Sequence, residues 1–281
     1  MQKRQLGKTG QKLTVIGFGG TAVMAEDARE SAKRVAQAIE RGINYFDVAP
    51  QYGNAEEMLG PALKTYRDSV FLASKTLERS AKGAEFELHR SLERLKTDHF
   101  DLYQFHCIET AEDVKNITAK GGALETFVKA RDKGLIRHIG LSVHAEAPGI
   151  ELMNRFDFDT VMFPVNFGCW LKGNFGHALM KFAVEKGLGI MALKALGKTK
   201  RKDDKREKWN KCWYEPVDNY EDANLALRFT LSQPITAAVC PGHMELLNFA
   251  CDTVENLSPL SDDELNILTQ KAQKLTPIFS S

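Results

Sequence analysis

The 281-residue sequence has no run approaching the ~18 consecutive apolar residues of a membrane span, and its opening stretch, MQKRQLGKTGQKL, lacks the apolar segment that directs secretion. Neither a membrane protein nor a secreted one is expected, which leaves the cytoplasm. Cysteine is sparse and unpatterned. Cys107, Cys169, Cys212, Cys240 and Cys251 are odd in number and form no CxxC pair, so reduced thiols are expected and neither a disulfide framework nor a structural metal site. Charge of one sign is also missing: 38 Lys and Arg face 37 Asp and Glu, without the basic excess of a nucleic-acid-binding surface. The exception is KTKRKDDKREKWNK, 198–211, with eight basic residues against three acidic; its interleaved signs read as a solvated loop. No Pro/Gly/Ser-rich linker divides the chain, so residues 1–281 are expected to form one domain.

What is present is an alternation. Apolar or β-branched runs recur at 14–20, 45–49, 70–76, 100–106, 138–144, 160–166, 189–195 and 236–242. Between them lie segments of helical period. In DARESAKRVAQAIERG, Ala28, Ala32, Val35, Ala36 and Ile39 share one face, Asp27 and Glu30 make a capping box, and Gly42 is the stop. Gly134 and Gly187 end two further helical segments in the same way. Eight strand–helix units are the arithmetic of a closed (β/α)8 TIM barrel, an α/β fold with a parallel sheet. RQLGKTGQKL, ahead of the first unit, fits an N-terminal β-hairpin capping the barrel bottom. The rival is an open doubly wound sheet, which wants G-x-G-x-x-G after its first strand; the chain has GFGGTA instead.

In such a barrel the active site lies at the C-terminal strand ends. The polar residues there are Thr21, Asp47, Lys75, His106, Ser142, His144, Asn166, Lys194 and the Pro241-Gly242-His243 turn. Each taken alone has an ordinary explanation as a turn, a cap or a solvated residue. Asp47, Lys75 and His106, however, end three successive buried strands about 4.8 Å apart, so their side chains are expected to converge, with Tyr52 above them on a loop. Asp47 would keep a buried Lys75 charged, and Lys75 would lower the Tyr52 pKa toward that of a working general acid.

YFDVAPQYGNAEEMLG, FLASKT and DLYQFH closely resemble the aldo-keto reductase superfamily, as do QLGKTGQKLTVIGFGG, LIRHIGLSVH and VCPG, so the resemblance covers essentially the whole chain. It implies a barrel that binds a nicotinamide cofactor without a Rossmann motif and reduces a carbonyl through a tetrad matching Asp47, Tyr52, Lys75 and His106. By the same resemblance Gly20, Thr21 and Asp47 line the nicotinamide ribose, Ser142 and Asn166 approach the carboxamide, and His144, Lys194, Gly242 and His243 belong to the cofactor site. Some positions depart from the common pattern. Met162 replaces a frequent glutamine, Leu193-Lys194 replaces Tyr-Ser, and Asn248 stands where an arginine often grips the 2'-phosphate, with Asp252 near the adenine. NADP(H) is expected, with charge from Lys198, Lys200 or Arg201, and NAD(H) as the alternative. Trp170, Trp209, Trp213 and Tyr214 are candidates for the pocket wall, the tail TPIFSS being short. The partner is then a small carbonyl or alcohol substrate, with no oligomeric state implied. Two other functions compete: a Schiff-base aldolase using Lys75, and a nicotinamide-binding sensor or regulatory subunit with little turnover.

Overall fold

The computed structural model describes residues 1–202 and 208–281. Two short strands come first, β1 (Lys3–Gln5) and β2 (Lys12–Thr14), paired antiparallel. Seven barrel strands follow: β3 (Ile16–Gly19), β4 (Tyr45–Asp47), β5 (Phe71–Thr76), β6 (Phe100–Ile108), β7 (Ile136–Val143), β8 (Thr160–Pro164) and β9 (Gly189–Leu193). A second antiparallel pair, β10 (Gly197–Lys200) and β11 (Tyr214–Pro216), precedes the last barrel strand, β12 (Ala237–Val239). Hydrogen bonding runs β12-β3-β4-β5-β6-β7-β8-β9 and closes on itself, all pairs parallel. This is the expected (β/α)8 TIM barrel, one strand in each of the eight apolar runs.

Both faces of these strands are buried, which is why the runs are apolar throughout rather than alternating. The alternation lies in which core each residue joins. Phe46, Leu72, Tyr103, Leu141 and Val161 point outward into the layer beneath the helices. Tyr45, Ala73, Leu102, Met162, Met191, Ala237 and Val239 fill the inside of the barrel. Leu6 and Leu13, from the N-terminal hairpin, belong to the inner cluster and plug its lower end, as the sequence suggested. The helix Ala28–Glu40 starts where expected, Asp27 Oδ1 accepting from Glu30 N at 2.8 Å, and Gly42 after it is left-handed (φ 81°). Its buried face is rotated from the sequence reading: Ser31, Val35 and Ala38 are covered, while Ala28 and Ala32 face water. An alanine methyl gains little by burial, so the larger Val35 sets the orientation.

The closing seam between β3 and β12 is short, two paired positions with the bonds Ala238 N to Val15 O at 2.9 Å and Cys240 N to Gly17 O at 3.1 Å. A Cβ on Gly19 would stand 2.3 Å from the Cys240 carbonyl oxygen, and backbone cannot yield as a side chain would. Gly19→Ala is therefore expected to cost about 1–3 kcal/mol and lower Tm by roughly 2–12 °C. A thermal melt identical to the parent's would show that the seam widens without cost.

Candidate active site

The inside positions continue upward along the strands and turn polar at the mouth. In β4, Tyr45 and Asp47 point inward on either side of outward Phe46, so Asp47 is simply the next inside residue. Lys75 on β5 and Gln104 on β6 sit at the same height, paired in register. All three are essentially buried. Lys75 Nζ forms an ion pair with Asp47 Oδ1 and donates to Val48 O at 3.3 Å, while Asp47 Oδ2 accepts from Tyr45 Oη at 3.2 Å and Gln104 Nε2 at 3.3 Å. Burial works to lower the Lys75 pKa, but the Asp47 carboxylate, helped by Tyr52 and Cys107, outweighs it, and the ammonium is held above its ordinary range.

Tyr52 sits in the loop that follows β4. Asn54 caps the helix Ala55–Leu63 by position and clamps this loop from below, its Oδ1 accepting from Ala25 N at 2.7 Å and its Nδ2 donating to Glu26 O at 3.2 Å. The half-buried Tyr52 ring has Lys75 Nζ 5.6 Å from its centroid and the His106 ring 6.0 Å away, edge-on. Its pKa corrects the sequence expectation. Burial is the largest influence and raises it, Lys75 pulls it down, Asp47 pushes it up, and the net direction is upward. Lys75 acts on the phenol as half of an ion pair, and the partner carboxylate cancels much of its field.

His106 was expected as the last residue of its strand, but β6 runs on to Ile108 with a register shift between Phe105 and Ile108. Cys107 takes up the irregularity in a left-handed conformation (φ 56°), the kind of bulge that re-aims a side chain. Arg79 fastens it, Nη2 donating to His106 O at 2.7 Å and Cys107 O at 3.1 Å, with Nε on Asp113 at 2.8 Å. Burial, then Lys75, His144 and Lys194, hold His106 well below the usual histidine range, so it is neutral at physiological pH. Its Nδ1 lies 3.1 Å from Gln51 Oε1.

The residues assigned by resemblance to the cofactor divide. Thr21, Asp47, Lys194 and Gly242 line one cavity together with Tyr52. A Cβ on Gly242 would stand 2.7 Å from Thr21 Oγ1, so these two loops approach as only a glycine permits. Gly20 packs beneath them against Val48. Ser142 and Asn166 are buried behind that wall. Ser142 Oγ meets no hydrogen-bond partner among the described residues, and Asn166 Nδ2 has nothing better near it than the Cys169 thiol, its Oδ1 capping the short helix Phe167–Leu171. His144 stands at the top of β7, and His243 turns to the 208–214 segment, accepting from Lys211 N at 3.2 Å and meeting Trp209 edge-on.

Several expectations are corrected. The start of the 198–211 segment, residues 198–200, belongs to β10 and pairs with β11 just beyond the segment's end; residues 203–207 lie outside the described residues. Arg201 Nη2 reaches the carbonyls of Trp209, Cys212 and Tyr214, and Lys198 faces Asp218 at 3.9 Å, so neither is simply a solvated charge. Asp252 is engaged by Arg41 at 2.6 Å. Of the aromatic wall candidates Trp213 and Tyr214 line the cavity, whereas Trp170 packs on His177. Sequence reasoning missed Tyr45 and Gln104, which the period-two inside pattern would have found. It also missed Arg79 and Phe279, for which no local signal exists. Phe279 returns from the tail to the barrel mouth, its N–H on Cys169 Sγ at 3.4 Å and its ring 5.0 Å from that of His144.

The sequence profile of the Aldo/keto reductase family matches residues 15–273. Aldo-keto reductase YhdN of Bacillus subtilis is 34% identical over 161 residues, 50% of this chain and 47% of that protein. L-galactose dehydrogenase of Arabidopsis thaliana is 31% identical over 159 residues, 50% of this chain and 48% of its own length. The matches thus span about half the length of these relatives. Among solved structures, aldo-keto reductase AKR11C1 from Bacillus halodurans in its holo form superposes with a TM-score of 0.76 at 24% identity, covering 100% of this chain and 98% of that one, which speaks to the fold.

Proposed function

We propose, for a chain that belongs to the aldo/keto reductase family, that it reduces an aldehyde or ketone with a nicotinamide cofactor, Tyr52 being the proton donor. The observation that carries this reading is the buried Asp47–Lys75 ion pair, with a phenol and a neutral imidazole set around it at the barrel mouth. The residues present fit a nicotinamide. Ser142 Oγ is a buried polar atom with no hydrogen-bond partner among the described residues and Asn166 Nδ2 has only the Cys169 thiol, groups a carboxamide would satisfy, while Gly20 and Gly242 leave no room for larger side chains against Val48 and Thr21. When bound in reduced form, the cofactor supplies the hydride.

The chain's own groups do the rest. Tyr52, its pKa raised by burial, is fully protonated at neutral pH and yields its proton to the oxygen that becomes negative. The phenolate left behind faces the Lys75 ammonium, which Asp47 keeps charged. Neutral His106 can donate one hydrogen bond to the carbonyl oxygen from the ring nitrogen turned away from Gln51, provided Gln51 presents its amide nitrogen to Nδ1. The raised Lys75 pKa weighs against the aldolase alternative, since an ammonium is no nucleophile; borohydride trapping of an adduct on Lys75 would reverse that judgement. The dehydrogenase among the relatives supports an alcohol as the substrate of the reverse direction.

NADPH is the proposed cofactor, supported by Lys211, which lines the same cavity as Tyr52, and by the density of basic residues in the 198–211 sequence. Titrations of NADPH and NADH followed by tryptophan fluorescence test it, with equal or tighter NADH binding as the contrary result. Five scattered cysteines, odd in number and forming no disulfide among the described residues, support a reducing compartment such as the cytoplasm, and no described helix is long and apolar enough to cross a membrane. Mixing the NADPH-loaded protein with a panel of aldehydes in a single turnover tests the function directly: loss of the reduced-cofactor absorbance is expected, and its persistence with every aldehyde would favour the sensor alternative.

A further inference from the structure

At the end of β9 stands a lysine in an unusual place. Lys194 has a left-handed backbone (φ 57°), where most side chains cost energy and glycine does not, and the turn is closed by Gly197 N on Lys194 O at 2.7 Å. The residue is 9% exposed, yet among the described residues no carboxylate forms an ion pair with its ammonium. Glu109, whose field it feels, is occupied by His144 Nδ1 at 3.1 Å. His144 is neutral, its pKa lowered to about 3 by burial and by Lys194, so Nδ1–H donates to Glu109 and the Nε2 lone pair accepts from Lys194 Nζ at a long 3.4 Å. Two rings stand close to it, Trp213 with its centroid 5.4 Å from Nζ and Phe279 at 5.1 Å, and the Cys107 and Cys169 thiols and Lys75 lie within its field.

This is a nearly buried cation in an aromatic frame, short of one anion. Burial, the largest influence, and Lys75 lower its pKa to about 8 against the opposing pull of Cys107, Cys169 and Glu109, and an incoming negative group would raise it again. Its place is beside the proposed chemistry: Lys194 lines the same cavity as Tyr52, and its field reaches His106 and Cys107. Trp213, 47% exposed at the rim, is available to wall whatever enters. The ammonium also argues against a cation here. Cys107, Glu109 and His144 bring ligand atoms within 4.8 Å of one another, but both His144 nitrogens are engaged, one of them by Lys194.

We propose that Lys194 anchors a carboxylate carried by the carbonyl substrate, so that the substrate class is an aldehyde or ketone acid, with Trp213 and Phe279 flanking its carbon skeleton. The inference rests on the carbonyl-reductase reading and narrows it. Resemblance alone placed Lys194 at the cofactor, and the experiment separates the two assignments.

The test compares 3- and 4-carboxybenzaldehyde with their neutral methyl esters, as the ratio of kcat/KM for acid over ester, in the parent, Lys194→Met and Lys194→Arg. Differences in intrinsic reactivity cancel when ratios are compared between proteins. For at least one isomer the ratio is expected to fall by about 10- to 100-fold in Lys194→Met, the worth of a charge-assisted hydrogen bond, and to be partly kept in Lys194→Arg. An unchanged ratio for both isomers overturns the proposal. So does a loss shared equally by acid and ester with NADPH affinity weakened to match, since the cation would then serve the cofactor. Calorimetric titration of the same two acids into parent and Lys194→Met keeps the inference testable without turnover. Lys194-dependent binding in a parent that reduces no aldehyde supports the anion site while removing the reductase reading; acid binding indifferent to Lys194 overturns it.

Discussion

Tyr52→Phe is expected to lower kcat for carbonyl reduction by at least about 10²-fold while leaving the NADPH dissociation constant nearly unchanged. The substitution removes one oxygen and keeps the ring that packs edge-on to His106 and lies 5.6 Å from Lys75 Nζ, so the site's shape survives. What disappears is the proton for the nascent alkoxide, which no neighbour replaces: His106 is neutral, and Lys75 is held by Asp47. The pH profile carries the same assignment. Reduction needs the phenol protonated, and burial holds its pKa above the ordinary 10.0, so the parent's rate should stay level through neutrality and fall only on the strongly alkaline side. His106 should add no limb near pH 6.5, because its pKa lies well below that value. A fully active Tyr52→Phe protein, or a limb near neutrality that vanishes on replacing His106, would sink these roles.

Lys75→Met is expected to abolish most activity and to destabilise the fold. Lys75 and Asp47 are both essentially buried, and removing one partner strands the other; a broken buried pair costs about 3–5 kcal/mol. Any residual activity should show its alkaline limb at still higher pH, since Lys75, which lowers the Tyr52 pKa, is gone while Asp47 still raises it. In the parent the Lys75 pKa is raised above 10.5, so its contribution to stability is complete below that pH and is lost only as pH climbs through the higher folded value. The double substitution Asp47→Leu/Lys75→Met separates stability from chemistry. With both charges removed, Tm should recover in part, Tyr45 Oη and Gln104 Nε2 being left without their acceptor, while activity stays absent. Equal melting of the parent and Lys75→Met would show that Asp47 takes up a proton or water without penalty, and an unchanged pH profile would show that Lys75 and Tyr52 are not coupled.

The placement of Asp47 and Lys75 was legible in the sequence because strand geometry is local, and that of Tyr52 because its loop directly follows the first of those strands. Side chains alternate with period two, so a charged residue at the top of an apolar run points either into the barrel mouth or under the helices, and the inside positions below it decide which. The same reasoning would have reached Tyr45 and Gln104, inside neighbours of that pair. The eight strands, the stops at Gly42, Gly134 and Gly187, and the plug of Leu6 and Leu13 were likewise local patterns repeated. The aim of His106 was not, since it depends on a bulge at Cys107 held by Arg79 from the end of another strand. The Tyr52 pKa needed burial and two opposing charges weighed together, and the sequence supplied only the charges. Phe279 reaches the mouth 85 positions after Lys194, and nothing near either residue in the chain announces that ring and ammonium will meet. Propensity and periodicity determine what a residue does within its own strand or helix, whereas distances between elements, and the fields and contacts that depend on them, come into being only when the barrel closes.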